Sequence, residues 1–249
     1  MRKVLCAAGI ALVVSVATAQ KLEVGLDGGY GFGFMSAQVG TNSIYNGATM
    51  TYTKFEQVYA SGGEGIKIRG EVDYFLSENI GIMVVSGYSM GGKYSVETRD
   101  LSPGGVEIIM EGTTSYVPVN LGLKLRAKVD NKIAPYIYIA PGILFPNKTE
   151  AMNSSGIESK RTYKYGMGFG FVTGVGTTFY VADRIGIKVE FSPTSASASP
   201  DRYMDNHGIT TTYKNNTPPE QLKSNEIAGQ PHESFSSLAV RAGLSIKIF

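Results

Sequence analysis

Acidic and basic side chains occupy alternate positions along several stretches of this chain, and they are its clearest candidates for electrostatic chemistry. The basic members are Lys67, Arg69, Lys124, Arg126, Lys188, Arg241 and Lys247, and the acidic members are Glu23, Asp27, Glu71, Asp73 and Glu190. Opposite charges that are enclosed together form ion pairs, because an isolated charge away from water is costly. We predict that these twelve residues, called the charge network below, form a plug of salt bridges. The alternative is a pore or gate that slightly repels cations.

Residues for nucleophilic catalysis are sparse. The chain has two histidines, His207 and His232, and the second begins the run His232-Glu233-Ser234. A nucleophile, a base and an orienting carboxylate must converge in space, whereas adjacent residues of an extended segment point in different directions. We therefore predict that the protein is not an enzyme.

Two further patterns resemble ligand sites without meeting their requirements. Asp201, Asp205, Asn206 and His207 carry oxygen and nitrogen donors but lack the spacing and the glycine of an EF-hand. The glycines from Gly166 to Gly170 resemble a dinucleotide fingerprint, but no helix is predicted after them. We expect neither a metal nor a cofactor.

The composition narrows the class of protein. The 249 residues carry a net charge of +2, too small an excess for a typical nucleic-acid partner. The 31 glycines and 26 Tyr and Phe residues (15 Tyr plus 11 Phe) are typical of β-structure with close backbone contacts. The single cysteine, Cys6, excludes an intramolecular disulfide framework.

The first 19 residues have the pattern of a secretory signal peptide. Arg2 and Lys3 precede an apolar run, and Ala17-Thr18-Ala19 is an A-x-A cleavage pattern. We predict a signal peptide at 1–19 and a mature chain that starts near Gln20. A retained membrane anchor is the alternative interpretation.

The elements that must position the charge network are strands. Eight runs alternate apolar residues with glycines or polar residues, a period of two that is typical of β-strands. The clearest run sets Val117 to Leu125 against Lys124 and Arg126, whereas the run from Ile133 to Phe145 is apolar on both faces and leaves its phase open.

The connections between these runs alternate in length. Tight turns are predicted at 77–79, 129–131 and 182–184. Long polar segments lie near 35–62, 92–114, 146–162 and 193–235. This layout predicts an all-β fold, an eight-stranded antiparallel up-and-down transmembrane β-barrel over residues 20–249, with short periplasmic turns and long extracellular loops.

The apolar face of each run is expected to point outward. The runs are long enough to cross a bilayer at a tilt, and a closed barrel leaves no unpaired edge in lipid. Glycines on the opposite face would make room for long charged side chains in a narrow lumen. A secreted soluble barrel, with its apolar face inside, is the alternative.

Three segments carry a family resemblance: Ser115 to Lys124, Gly174-Val175-Gly176 before Phe179-Tyr180, and a last strand that ends at Phe249. On these the chain resembles the small outer-membrane β-barrel superfamily of OmpA-like, OmpX-like and porin-family proteins. The resemblance implies a location in the bacterial outer membrane and an assembly signal at Phe249, read by the barrel-assembly machinery. Phe249 departs from the family pattern, because it is in phase with Arg241 and Lys247 rather than with the lipid-facing residues.

From these features we expect an integral outer-membrane protein with a structural or surface-interaction role. The expected partners are outer-membrane lipid, the assembly machinery during insertion and an extracellular ligand for the long loops, with no nucleic acid and a monomeric barrel. A low-conductance porin for small solutes is the first alternative. A membrane-embedded lipid-modifying enzyme or protease is the second.

Overall fold

The computed structural model describes residues 22–34, 36–127, 132–214, 221–229 and 231–248. The predicted signal peptide, the predicted turn at 129–131 and Phe249 lie outside the described residues. The strands are β1 (Leu22–Gly33), β2 (Ala37–Asn46), β3 (Thr51–Ala60), β4 (Gly65–Phe75), β5 (Ile80–Asp100), β6 (Glu107–Arg126), β7 (Ile133–Ser154), β8 (Ile157–Tyr165), β9 (Gly168–Tyr180), β10 (Ile185–Ala198), β11 (Pro200–Asp205), β12 (Thr210–Lys214), β13 (Glu226–Ala228), β14 (Glu233–Ser234) and β15 (Ser237–Lys247). Within this part of the chain, no helix is long and apolar enough to cross a membrane.

Eight of these strands form a closed barrel. Their order around the barrel is β1, β4, β5, β6, β7, β9, β10 and β15, and each pairs with its neighbours in antiparallel orientation. The barrel closes where β1 pairs with β15, with Glu23 opposite Lys247. The prediction of an eight-stranded antiparallel barrel is confirmed.

The apolar side chains point outward, as predicted. Ile68, Leu123 and Val240 are each more than half exposed on the outer surface, and similar residues form an apolar belt around the barrel. The structure also determines the phase of β7, which the sequence leaves open. Tyr136 and Tyr138 are buried inside the barrel, whereas the isoleucines that alternate with them face outward.

Glycines of β9 make room for these tyrosines. Gly176 is paired with Tyr136 and Gly174 with Tyr138 in the antiparallel register. A Cβ atom at Gly176 would lie 2.6 Å from the Tyr136 ring. The glycine face of β9 therefore accommodates aromatic rings in addition to charged chains.

The two ends of the barrel differ. At one end, tight turns at 77–79 and 182–184 join the strands, as predicted. At the other end, the segments predicted as long loops are largely strand, because β5, β6 and β7 continue for 20 to 22 residues in all. The apolar alternation stops where these strands leave the apolar belt, since both faces of a hairpin in water tolerate polar residues.

Additional strands extend the sheet at this long-hairpin end. The hairpin of β2 and β3 pairs with the end of β5, and β8 continues through β11 and β12 to β13. The segment around β14 turns back over the opening of the barrel, where β14 pairs with β10.

Candidate functional site

The interior of the barrel at the short-turn end contains an ion pair that crosses the lumen. Glu23 on β1 pairs with Arg126 on β6 and also accepts a hydrogen bond of 3.0 Å from the Tyr180 hydroxyl. The Arg126 guanidinium lies 3.7 Å from the centre of the Phe75 ring. Lys247, which faces Glu23 in the register, places its ammonium 3.2 Å from the centre of the Tyr180 ring. This layer joins opposite walls of the barrel.

A second layer lies around Glu71. Its carboxylate pairs with Lys188 and, at 3.1 Å, with Lys124, whose ammonium is also 2.5 Å from Asp73. Glu71, Asp73 and Lys188 are each at most 3% exposed. The charges in this layer are therefore shielded from water by one another and by the barrel wall.

Arg69 is the centre of a third layer. Its guanidinium lies 2.7 Å from Asp27 and 2.7 Å from Glu190, two carboxylates on different strands. It also donates to the Tyr138 hydroxyl at 2.7 Å. Arg241 approaches the same Glu190 at 3.0 Å. One arginine thus connects β4 to β1 and to β10.

Each of the five acidic members of the charge network has a basic partner from the same set. The structure places eleven of the twelve residues in buried positions inside the barrel and Lys247 in a half-buried one. Several pairs span three strands, such as Arg126 on β6 with Glu23 on β1. An arrangement of this kind can hold the walls together and block the lumen.

Sequence reasoning missed the tyrosines that complete this network. Tyr136 and Tyr138 donate to Glu190 at 3.0 and 2.7 Å, and Tyr180 donates to Glu23. The inward position of Tyr180 could have been predicted, because Tyr180 is in phase with the glycines of β9. For the two tyrosines of β7 the alternating isoleucines hide the phase.

An apolar layer covers the charge network at the long-hairpin end. Phe235, just after β14, is fully buried, and its ring centre lies 5.5 Å from that of Tyr116 and 6.1 Å from that of Tyr165. Backbone hydrogen bonds of 2.9 Å fix this segment, from Phe235 to Ala196 and from Gly62 to the residue before Phe235. The segment therefore lies over the interior of the barrel at its long-hairpin end.

A polar group, called the mouth cluster below, lies outside this cover and beyond the apolar belt. Its members are Tyr94, Lys148, Glu150, Tyr163, Tyr165 and Glu233. Lys148 lies 3.0 Å from Glu150 and 2.9 Å from Glu233. Tyr94 and Tyr163 each donate to Glu150 at 2.5 Å.

These contacts shift the ionisation of the mouth cluster. Burial alone would lower the pKa of Lys148, but the adjacent carboxylates of Glu233 and Glu150 outweigh it and raise that pKa. Burial would raise the pKa of Glu150, yet Lys148 and the two tyrosine hydroxyls lower it below its ordinary value. At neutral pH the cluster is therefore charged and ion-paired.

The residues considered for catalysis and metal binding make separate contacts in the structure. His232 Nδ1 is 2.8 Å from Ser199 Oγ, but the Glu233 carboxylate accepts from Lys148 and from Tyr165. Asp205 accepts backbone hydrogen bonds of 2.9 Å from the turn that follows it. In the described ranges, no group of three or more His, Cys, Asp or Glu residues is arranged to hold a metal ion.

Comparison with known proteins gives one family and several solved barrels. Residues 4–216 match the family described as outer membrane protein beta-barrel domain. The chain is similar to the attachment invasion locus protein Ail of Yersinia pestis, at 10% identity and a TM-score of 0.37, over 91% of this chain and 99% of that chain. No curated protein sequence matches it significantly.

Two other solved structures are similar at the same level. Neisserial surface protein A matches at 9% identity and a TM-score of 0.41, over 91% of this chain and 97% of that chain. The outer membrane protease OmpT from Escherichia coli matches at 12% identity and a TM-score of 0.37, over 93% of this chain and 98% of that chain.

Proposed function

The chain belongs to the outer membrane protein β-barrel domain family. From that identity we propose that its lumen is plugged by the charge network and that it acts through its extracellular hairpins. Its location in the bacterial outer membrane, expected from the sequence, is confirmed by the family match. The short-turn end then faces the periplasm, and the long-hairpin end faces the outside of the cell.

The position of Arg69 is the observation that supports a plugged lumen. Arg69 bridges Asp27 on β1 and Glu190 on β10, and the two layers between it and the short-turn end are also ion-paired. An eight-stranded barrel has an interior that side chains can fill. A solute would have to separate buried opposite charges in order to pass, which costs several kcal/mol per ion.

The extracellular hairpins offer the surface for an external ligand. The β2–β3 hairpin carries exposed aromatic side chains, among them Tyr52 at 62% and Phe55 at 67% exposure. Exposed aromatic residues that lie together are typical of contact surfaces, and β3 is also an edge strand of the sheet. These features favour a structural or surface-interaction role over transport.

The remaining partners follow from the outer face of the barrel. Within the apolar belt, the outward positions of the described barrel strands carry no charged side chain. Ile66 on β4 and Leu244 on β15 are examples of the residues found there. Such a surface suits contact with the acyl chains of outer-membrane lipid all round, and we propose that the barrel works as a monomer. The assembly machinery remains a proposed partner during insertion.

Liposome swelling tests the proposal against a porin. Vesicles that contain the refolded protein should swell no faster in small sugars or amino acids than vesicles without it. If the wild type admits these solutes at a steady rate, the protein is a low-conductance porin and its lumen is not plugged.

A further inference from the structure

One buried cation of the charge network has no acidic partner. Lys67 is 4% exposed inside the barrel, and its ammonium donates to Ser89 at 3.2 Å and to the Tyr116 hydroxyl at 2.6 Å. No carboxylate of the described residues lies within ion-pair distance of Lys67. Both partners are neutral, so the ammonium is buried without a counter-charge, an unfavourable arrangement.

A second cation lies on the same row of the barrel. Gly29 on β1 pairs with Lys67 on β4 and, on its other side, with Arg241 on β15. The two basic residues are thus two strands apart, with a glycine between them. The Nε atom of Arg241 is buried and has no hydrogen-bond partner in the described part of the chain. A guanidinium nitrogen that lies 3.8 Å from the Asp27 carboxylate without a hydrogen bond, and an uncompensated ammonium, therefore flank the same glycine.

Lys67 and Arg241 both line one small internal space. Its volume is about 40 Å³, and its lining includes Lys67, Arg69, Arg241, Ser89, Tyr116 and Asn120. Three of these side chains are cationic, and none of the described lining residues is a carboxylate. A space of this size exceeds that of one water molecule and can hold a single small ion.

The local charge count is unbalanced by one. Lys67, Arg69, Arg241 and Lys188 supply four positive charges here, whereas Asp27, Glu190 and Glu71 supply three negative charges. One monovalent anion would balance the layer. Apolar surface from Val85 and Val172 completes the lining, and it favours an anion that gives up its water readily.

We propose that the lumen, in its part nearer the long-hairpin end, binds one small monovalent anion of the halide class between the Lys67 ammonium and the Arg241 guanidinium. The Tyr116 hydroxyl and Asn120 belong to the same wall, and the buried Phe235 ring covers Tyr116 from the extracellular side. The inference does not depend on the surface role proposed above, since it concerns the interior alone.

Bromide is the probe for this site. Unfolding in urea should be followed in sodium bromide and in sodium gluconate at equal ionic strength, because gluconate is too large for the space. Above the dissociation constant, a tenfold rise in bromide should raise the folded-to-unfolded ratio by up to about tenfold, and gluconate should not. Equal midpoints in the two salts at every concentration would overturn the proposal.

Two variants separate the site from general salt effects. Lys67→Met should remove the dependence on bromide, whereas Lys93→Met, the same change at an exposed lysine, should retain it. Should Lys67→Met fail to fold, anomalous scattering from wild-type crystals grown in bromide gives an independent result. A bromide peak beside the Lys67 ammonium supports the site. Its absence, or a bromide effect that survives in Lys67→Met, contradicts it.

Discussion

Removal of the Arg69 guanidinium should destabilise the barrel strongly. Arg69 is 5% exposed and lies 2.7 Å from both Asp27 and Glu190. In Arg69→Met both carboxylates lose their closest cation. Among the described residues, Asp27 then keeps Lys188 at 3.5 Å and Arg241 at 3.8 Å, and Glu190 keeps Arg241 at 3.0 Å.

The expected loss follows from the burial of these groups. Removal of one partner of a buried ion pair costs about 3–5 kcal/mol, because a charge is left uncompensated. The remaining contacts of Glu190 place the expected effect toward about 3 kcal/mol, a decrease of roughly two decades in the folded-to-unfolded ratio. Arg69→Lys keeps the charge but loses the bidentate contact with Asp27, so its loss should be smaller.

Urea unfolding in lipid vesicles measures this loss. The chain has no tryptophan, so circular dichroism and the heat-dependent shift in gel mobility are the suitable probes. The double variant Asp27→Asn with Arg69→Met should recover part of the stability, since the charge left by the arginine is removed with it. A loss of stability in Arg69→Met of no more than about 0.5 kcal/mol would refute the reasoning, because an ordinary surface substitution has an effect of that size. Such a result would mean that water already solvates the lumen charges.

Three further predictions concern other parts of the chain. Leu123→Arg should cost about 2–4 kcal/mol at the lipid face. A lipid-soluble reagent should label a cysteine at 123 but not one at 120, which is buried in the lumen, and labelling at 120 alone would contradict the outward position of Leu123. Intact mass of the outer-membrane form should begin at or near Gln20, and a retained first residue would exclude the predicted cleavage. The mouth cluster should weaken in acid: the pKa of Glu150 is lowered from 4.5, so its contribution is present above pH 4.5 and is lost as pH falls through the lower folded value. The urea midpoints of wild type and Glu150→Gln should therefore converge below that pH, and a constant difference would argue against the ion pair.

The barrel itself was predictable because lipid imposes a strict alternation on each strand. In β6 the outward residues from Val117 to Leu125 are all apolar, and the inward Lys124 and Arg126 could be assigned to the lumen from sequence alone. The twelve members of the charge network follow from the same alternation.

The contacts within the lumen could not be predicted in the same way. Partners such as Arg126 and Glu23 are 103 residues apart, and their meeting depends on the width of the closed barrel. The burial of Phe235 depends on how a polar segment folds back over the opening, for which no periodic pattern exists. The hairpin extensions were also missed, because their outward faces are polar and resemble loops.

The closed lumen is tested most directly by current through planar bilayers. The refolded wild type should be nearly silent under an applied voltage, whereas Glu71→Ala and Arg126→Ala should each show larger and more frequent openings together with a lower urea midpoint. A wild type that conducts steadily, with variants that change only its ion selectivity, would contradict the plug of salt bridges and establish a channel.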